Sequence, residues 1–92
     1  MKNLKGKKVK AFYQAWFLST GTVVEGEVQK TTSYGSADYL DSHIVRLTHI
    51  PDEAKDIMDE HGIAVGVDVD FYDRDVAFVV REANGQTYDF VN

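Results

Sequence analysis

Residues 50–72 read IPDEAKDIMDEHGIAVGVDVDFY, and within them the hydrophobic period changes from helical to extended. Pro51 stands where a helix begins, at the first position, whose N–H has no intrahelical partner to lose. Asp52 and Glu53 complement the positive end of the helix dipole. Ala54, Ile57, Met58 and His61 form one stripe at helical spacing, and Gly62 supplies the left-handed stop. The pattern predicts a helix over 51–61. Ile63, Val65, Val67, Val69 and Phe71 then alternate with Ala64, Gly66, Asp68, Asp70 and Tyr72, as in a strand with one buried and one wet face.

Strand signals surround this segment on both sides. Downstream, a turn at Asp73-Arg74 leads into Val76–Glu82, and Asn84-Gly85 is a strong hairpin signal before Thr87–Val91. A two-residue loop there sets Arg81 opposite Tyr88 and Val79 opposite Phe90. Upstream, His43–Ile50 and Thr22–Lys30 read as strands, the latter with Val24, Gly26 and Val28 on one face. Residues 31–42 read as a loop by composition. Val9–Leu18 fits both periods: Val9, Phe12, Tyr13, Trp16 and Phe17 for a helix, or Val9, Ala11, Tyr13, Ala15 and Phe17 for one face of a strand. Lysines crowd the first turn of that helix and no cap precedes it, so strand is the expectation. Lysine-rich residues 1–8 are expected to fray as a basic N-terminus. The fold class expected is α+β: a small curved antiparallel sheet or open barrel of about five to six strands with one short helix, residues 51–61. Ile57, Met58, Val65, Val67, Val69, Phe78, Val80 and Phe90 are the expected shared core.

The 92 residues suit one domain spanning 1–92. With no cysteine, disulfides and zinc–thiolate sites are excluded, and no apolar run reaches the ~20 residues of a spanning helix. No signal-peptide-like apolar run follows the charged start, so a cytoplasmic address is expected. The net charge of −5 is unevenly spread. Residues 1–37 hold six lysines against Glu25 and Glu27, whereas 38–75 hold eleven acids against Arg46, Lys55 and Arg74.

Leu4, Gly6, Lys7 and Val9, then Gly21, Gly26 and Val28, and later Val45 and Leu47, resemble the opening of Sm-like and SH3-like small barrels. The resemblance covers roughly the first half of the chain. It implies a strongly bent, glycine-turned sheet that binds RNA, DNA or peptides. The departure is the helix, which precedes the first strand in Sm-like proteins and follows the third predicted strand here.

Asp68, Asp70, Asp73 and Asp75 form the densest carboxylate cluster. Asp68 and Asp70 project to one side about 6.6 Å apart, a spacing open to a hard cation or to paired-carboxylate catalysis. The calcium-loop template fails, because Tyr72, Asp73 and Val79 occupy its fifth, sixth and twelfth positions. A solvated strand face is the plainer reading. His43 and His49 would share a face but lie about 20 Å apart, and His61 suits a helix end. Gly35-Ser36 lacks a nucleophile elbow, and neither a phosphate-binding loop nor a dinucleotide fingerprint is present. No catalytic residue, metal or cofactor is therefore assigned.

Tyr34, Tyr39 and Leu40 are large side chains in a polar loop, and Phe12, Trp16 and Leu18 exceed what one short helix covers. Both groups suit a partner interface. The leading expectation is a non-enzymatic protein–protein binding module, an inhibitor or regulator whose acidic surface, with Asp68, Asp70, Asp73 and Asp75, imitates nucleic acid. A symmetric homodimer is the first assembly expected. The alternative is a small-barrel nucleic-acid binder using Lys2, Lys5, Lys7, Lys8 and Lys10 beside Phe12, Tyr13 and Trp16. A third is a carboxylate or metal-dependent enzyme at Asp68 and Asp70.

Overall fold

A computed structural model describes residues 4–32, 41–81 and 87–91, with backbone alone from residue 77 onward. The chain forms strands β1 (Lys8–Tyr13), β2 (Thr22–Thr32) and β3 (Ser42–His49), helix α1 (Asp52–Glu60), then β4 (Asp68–Tyr72), a 3₁₀ turn (Asp73–Asp75), β5 (Val76–Arg81) and β6 (Thr87–Val91). The fold is α+β, with α1 set against an open antiparallel sheet. Strands β4-β3-β2-β1 form its continuous body, and β5 and β6 extend the ladder beyond β1.

Alternation in the sequence decides which face is inside. Val9 and Ala11 on β1, Val24, Gly26 and Val28 on β2, and His43, Val45 and Leu47 on β3 are buried. Ala54 and Met58 from α1, with Leu4, Ile50, Phe71 and Val76, complete the core, and Tyr13, Phe17, Leu18, Ile57, Ile63 and Val69 pack against it. Gly26 lies opposite Leu47, where a Cβ would collide with the Val45 side chain and the Arg46 carbonyl. Only a glycine permits strands to approach so closely there.

The sheet is strongly curled. Along a flat sheet β5 would stand four strand spacings from β4, about 19 Å. The four Cα–Cα steps from Tyr72 to Val76 reach at most about 13–14 Å, so the β4 end must bend back toward β1. Two irregularities in the β2–β3 register assist, one between Glu25 and Gly26 and one between Val28 and Lys30. Such bulges add local twist.

Several expectations need correction. β1 ends at Tyr13, where its pairing with Thr22 closes the ladder, and residues 14–20 leave the sheet. The expected strand over 63–71 begins only at Asp68. Gly66 adopts φ +94°, so 63–67 turn rather than alternate, and Val65 is 56 % exposed. Val67 and Val69 are half-buried; the expected core holds fully at Met58 and partly at Ile57 and Val69. Phe78, Val80 and Phe90 have side chains outside the described residues. β5 pairs with β6 as Arg81↔Thr87, Val80↔Tyr88 and Phe78↔Phe90, one residue out of the register expected from a two-residue loop; Asn84 and Gly85 lie outside the described residues. Pro51 caps α1 instead of opening its first turn.

The N-terminal segment is tied down from Leu4 onward. Leu4 is buried and its N–H donates to Thr31 Oγ1 at 3.2 Å. Gly6 N–H donates to the Val28 carbonyl at 2.8 Å, and Val28 N–H returns to the Lys7 carbonyl at 2.9 Å. Among the described residues no helix is long and apolar enough to cross a membrane.

Candidate partner-binding surface

Once β1 ends at Tyr13, the chain turns at 15–18, with Leu18 N–H donating to the Ala15 carbonyl at 3.0 Å. This turn faces the end of α1. Gly62, at φ +80°, halts the helix, and His61 is held by an Nδ1–H bond to the Ile57 carbonyl, 3.0 Å. Phe17 stacks flat on the His61 ring at 3.9 Å between centroids. Trp16 meets both edge-on, at 5.7 Å from Phe17 and 5.3 Å from His61. Tyr13 continues the chain of rings to Phe17 at 6.3 Å and to Phe71 at 6.2 Å. Burial raises the Tyr13 phenol above its ordinary pKa. Trp16 itself is 87 % exposed. The indole is thus supported from beneath and open above, beside a groove that includes Leu18, Thr20, Glu53 and Ile57.

A second surface lies on the outer face of the sheet. Phe12 stands opposite Val23 and its ring occupies the space above Gly21. The curl brings Tyr72, Arg74 and Asp75 to the same groove as Phe12, and Arg74 lies 5.2 Å over the Tyr72 ring. Lys10 lines the adjoining groove with Phe12 and Arg74.

Charges on this outer face run in a row across four strands. Lys8 opposes Glu27, Glu27 opposes Arg46, and Arg46 opposes Asp68. Arg46 Nε–H donates to Asp68 Oδ1 at 2.9 Å and its terminal nitrogen to Oδ2 at 3.3 Å. That bond, before the Coulomb attraction itself, raises the guanidinium pKa. Glu27 on β2 and Asp68 on β4 therefore do not face each other, because β3 and Arg46 lie between them.

The expected acidic cluster is divided. Asp68 and Asp70 are exposed on β4, whereas Asp73 and Asp75 are half-buried in the 3₁₀ turn. Asp73 Oδ1 lies 2.5 Å from His43 Nε2, and the His43 Nδ1 atom lies 2.8 Å from Thr31 Oγ1. The carboxylate requires a hydrogen on Nε2, so in the neutral ring Nδ1 accepts from the Thr31 hydroxyl. His43 is fully buried, and the grooves beside Phe12, Tyr72 and Leu18 are lined by neither His43 nor Thr31. The order hydroxyl–imidazole–carboxylate is that of a nucleophile relay, but here it clasps the N-terminal segment, β2, β3 and the 3₁₀ turn together. His49, expected on the face of His43, is exposed, because the irregularity near Thr48 reverses the alternation between them.

Trp16 and Phe12 are therefore both exposed but belong to two surfaces, Trp16 at the helix end and Phe12 on the outer sheet. Tyr34, Tyr39 and Leu40 lie outside the described residues. His61 as a support for Trp16 escaped sequence reasoning, since only the fold joins the two. The inward placement of His43 was also not anticipated, although its alternation with Val45 and Leu47 carries that signal. No family model, curated protein or solved structure matches the chain.

Proposed function

We propose that this protein is a non-enzymatic binding module that acts through protein–protein contact at the surface centred on Trp16. The observation that carries the reading is an indole 87 % exposed yet oriented by two rings. A preordered aromatic loses little entropy on docking and buries a large area, the pattern of an interface hot spot. Asp52, Glu53, Asp56, Asp59 and Glu60 project from the adjoining helix, all exposed, with Lys55 the one cation among residues 52–60. That acidic helix face supports the inhibitor or regulator role toward a basic partner. The sheet acids support it less, because Lys8 and Arg46 alternate with them.

The curl, the strand order β4-β3-β2-β1-β5 and the 3₁₀ link support reading the sheet as an open small barrel of the SH3-like kind, with α1 inserted between β3 and β4. A second function is favoured by one observation. Lys10, Phe12, Tyr72 and Arg74 share the outer grooves, a basic and aromatic combination suited to stacking single-stranded nucleic acid.

Sedimentation of the full chain from low to high micromolar concentration tests self-association, and labelled single-stranded DNA and RNA test the second reading. Concentration-dependent dimerisation lost in Trp16→Ala is the expected result. A strict monomer that binds nucleic acid saturably, with affinity falling steeply in salt, would replace the first reading with the second.

A further inference from the structure

In an antiparallel pair, alternate residues turn both backbone polar groups toward the neighbour or away from it. Along β3 and β4, Leu47 N–H donates to the Val67 carbonyl at 3.0 Å, and Asp73 N–H donates to the Asp41 carbonyl at 2.8 Å. With Val45 opposite Val69 and His43 opposite Phe71, the odd-numbered residues face β3. Asp68, Asp70 and Tyr72 consequently direct their N–H and C=O groups outward. β4 ends the strand order, and these three have no backbone partner on that side among the described residues. The edge is also open to solvent: Asp68 and Asp70 are exposed, and Val69 between them is half-buried.

We propose that the β4 edge accepts an extended peptide of alternating basic and apolar residues as an added strand. Residues opposite Asp68 and Asp70 on such a strand stand about 5 Å away on the outer face, where Lys or Arg meets each carboxylate. Asp70 has Ile44 across from it on β3, so its carboxylate has no cation on that side. The apolar residue between the two basic ones points inward and covers Val69. The sheet already uses this pairing once: Lys8, Val9 and Lys10 lie opposite Glu27, Gly26 and Glu25. A second copy fits worse, because two β4 edges meeting antiparallel around Asp70 set like charges opposite each other. Acidic side chains on an edge discourage such self-pairing and at the same time select a basic strand. The edge shares no residue with the Trp16 surface, so the inference stands apart from the binding function centred there, although Tyr72 also lines the outer groove with Phe12.

The test is amide hydrogen exchange on the full chain, titrated with a capped eight-residue peptide alternating Lys and Val. Saturable protection of the Asp68, Asp70 and Tyr72 amides is expected, with weaker binding at higher salt. Asp70→Pro keeps the β3 ladder, which does not use that N–H, and prolines are tolerated on edges. It should weaken binding about tenfold by removing one backbone bond and one charge. If that variant does not fold, the same peptide N-methylated at alternate residues reads the backbone bonds in the natural chain and should lose binding in one methylation register. Trp16→Ala should bind the peptide as well as the natural chain. Protection confined to residues 52–60, equal binding of a Glu–Val peptide, or no saturation at about 1 mM would each overturn the proposal.

Discussion

His43 is a polar side chain with no exposure, and both its nitrogens are engaged, by Thr31 and Asp73. His43→Leu keeps roughly the volume but removes both bonds, including the charge-assisted one to the Asp73 carboxylate, which is 31 % exposed. A loss of roughly 2–4 kcal/mol is expected from the charge-assisted bond and imperfect repacking. Urea unfolding with an unchanged slope measures it, and a variant as stable as the natural chain would show the clasp to be ornamental. Tyr13 gives a pH dependence of defined sign. Burial holds its phenol pKa above 10.0, the ordinary value, so the folded state keeps the proton more tightly than the unfolded chain does. The associated stability is present below the unfolded pKa and is lost as pH rises through the folded one. Urea midpoints compared at about pH 9 and about pH 11 should fall further in the natural chain than in Tyr13→Phe. The alternation of His43 with Val45 and Leu47 hints at its inward face, but nothing local says that Asp73, thirty positions away, will reach it. That pairing depends on where the 3₁₀ turn lands, which no local pattern encodes.

Helix α1 was legible in type and nearly in extent, because its stripe, its acidic first turn and its glycine stop all agree. Its weakness is equally visible: no basic residue occupies the last turn, where Asp59 and Glu60 face the negative end of the dipole. Glu60→Lys should stabilise the chain by about 0.3–1 kcal/mol by reversing that interaction and relieving repulsion from Asp56 one turn earlier. Thermal unfolding at low and high salt checks it, since screening should shrink the gain. The strand after the helix was less legible. Ile63 to Val67 alternate as well as Val69 to Phe71 do, yet Gly66 takes a positive φ and Ile63 N–H bonds back to the Met58 carbonyl at 2.9 Å. The helix terminus thus captures residues whose pattern alone favours extension. β1 ended early for a related reason: the strand lasts only while β2 supplies partners, and side-chain alternation does not report the length of a neighbour. Likewise the side-chain period of 2 carries no mark of the irregularity that turned His49 outward.

At the scale of the molecule, the basic and acidic halves of the sequence do not become two poles. Antiparallel pairing lays Lys8, Glu27, Arg46 and Asp68 in one row, so much of the sequence asymmetry is consumed within the sheet, and α1 retains the larger unpaired acidic surface. Trp16 stands beside that surface and outside the core. A large aromatic normally adds stability in proportion to the area it buries, and Trp16 buries little. Its edge contacts with Phe17 and His61 are each worth about 0.5–1.5 kcal/mol at most, and exposure to water offsets much of that. Trp16→Ala should therefore change the unfolding free energy by no more than about 0.5 kcal/mol, as for an ordinary surface position. The same substitution should abolish concentration-dependent association, because a docked indole is a dominant interface contact. Phe17→Ala supplies the contrast: it removes a half-buried ring that packs on the core, so stability and association should fall together. Chemical unfolding and sedimentation of the two variants read both quantities. If Trp16→Ala destabilises the chain as much as Phe17→Ala does, the indole is part of the fold, and the Trp16 surface loses its claim to a partner.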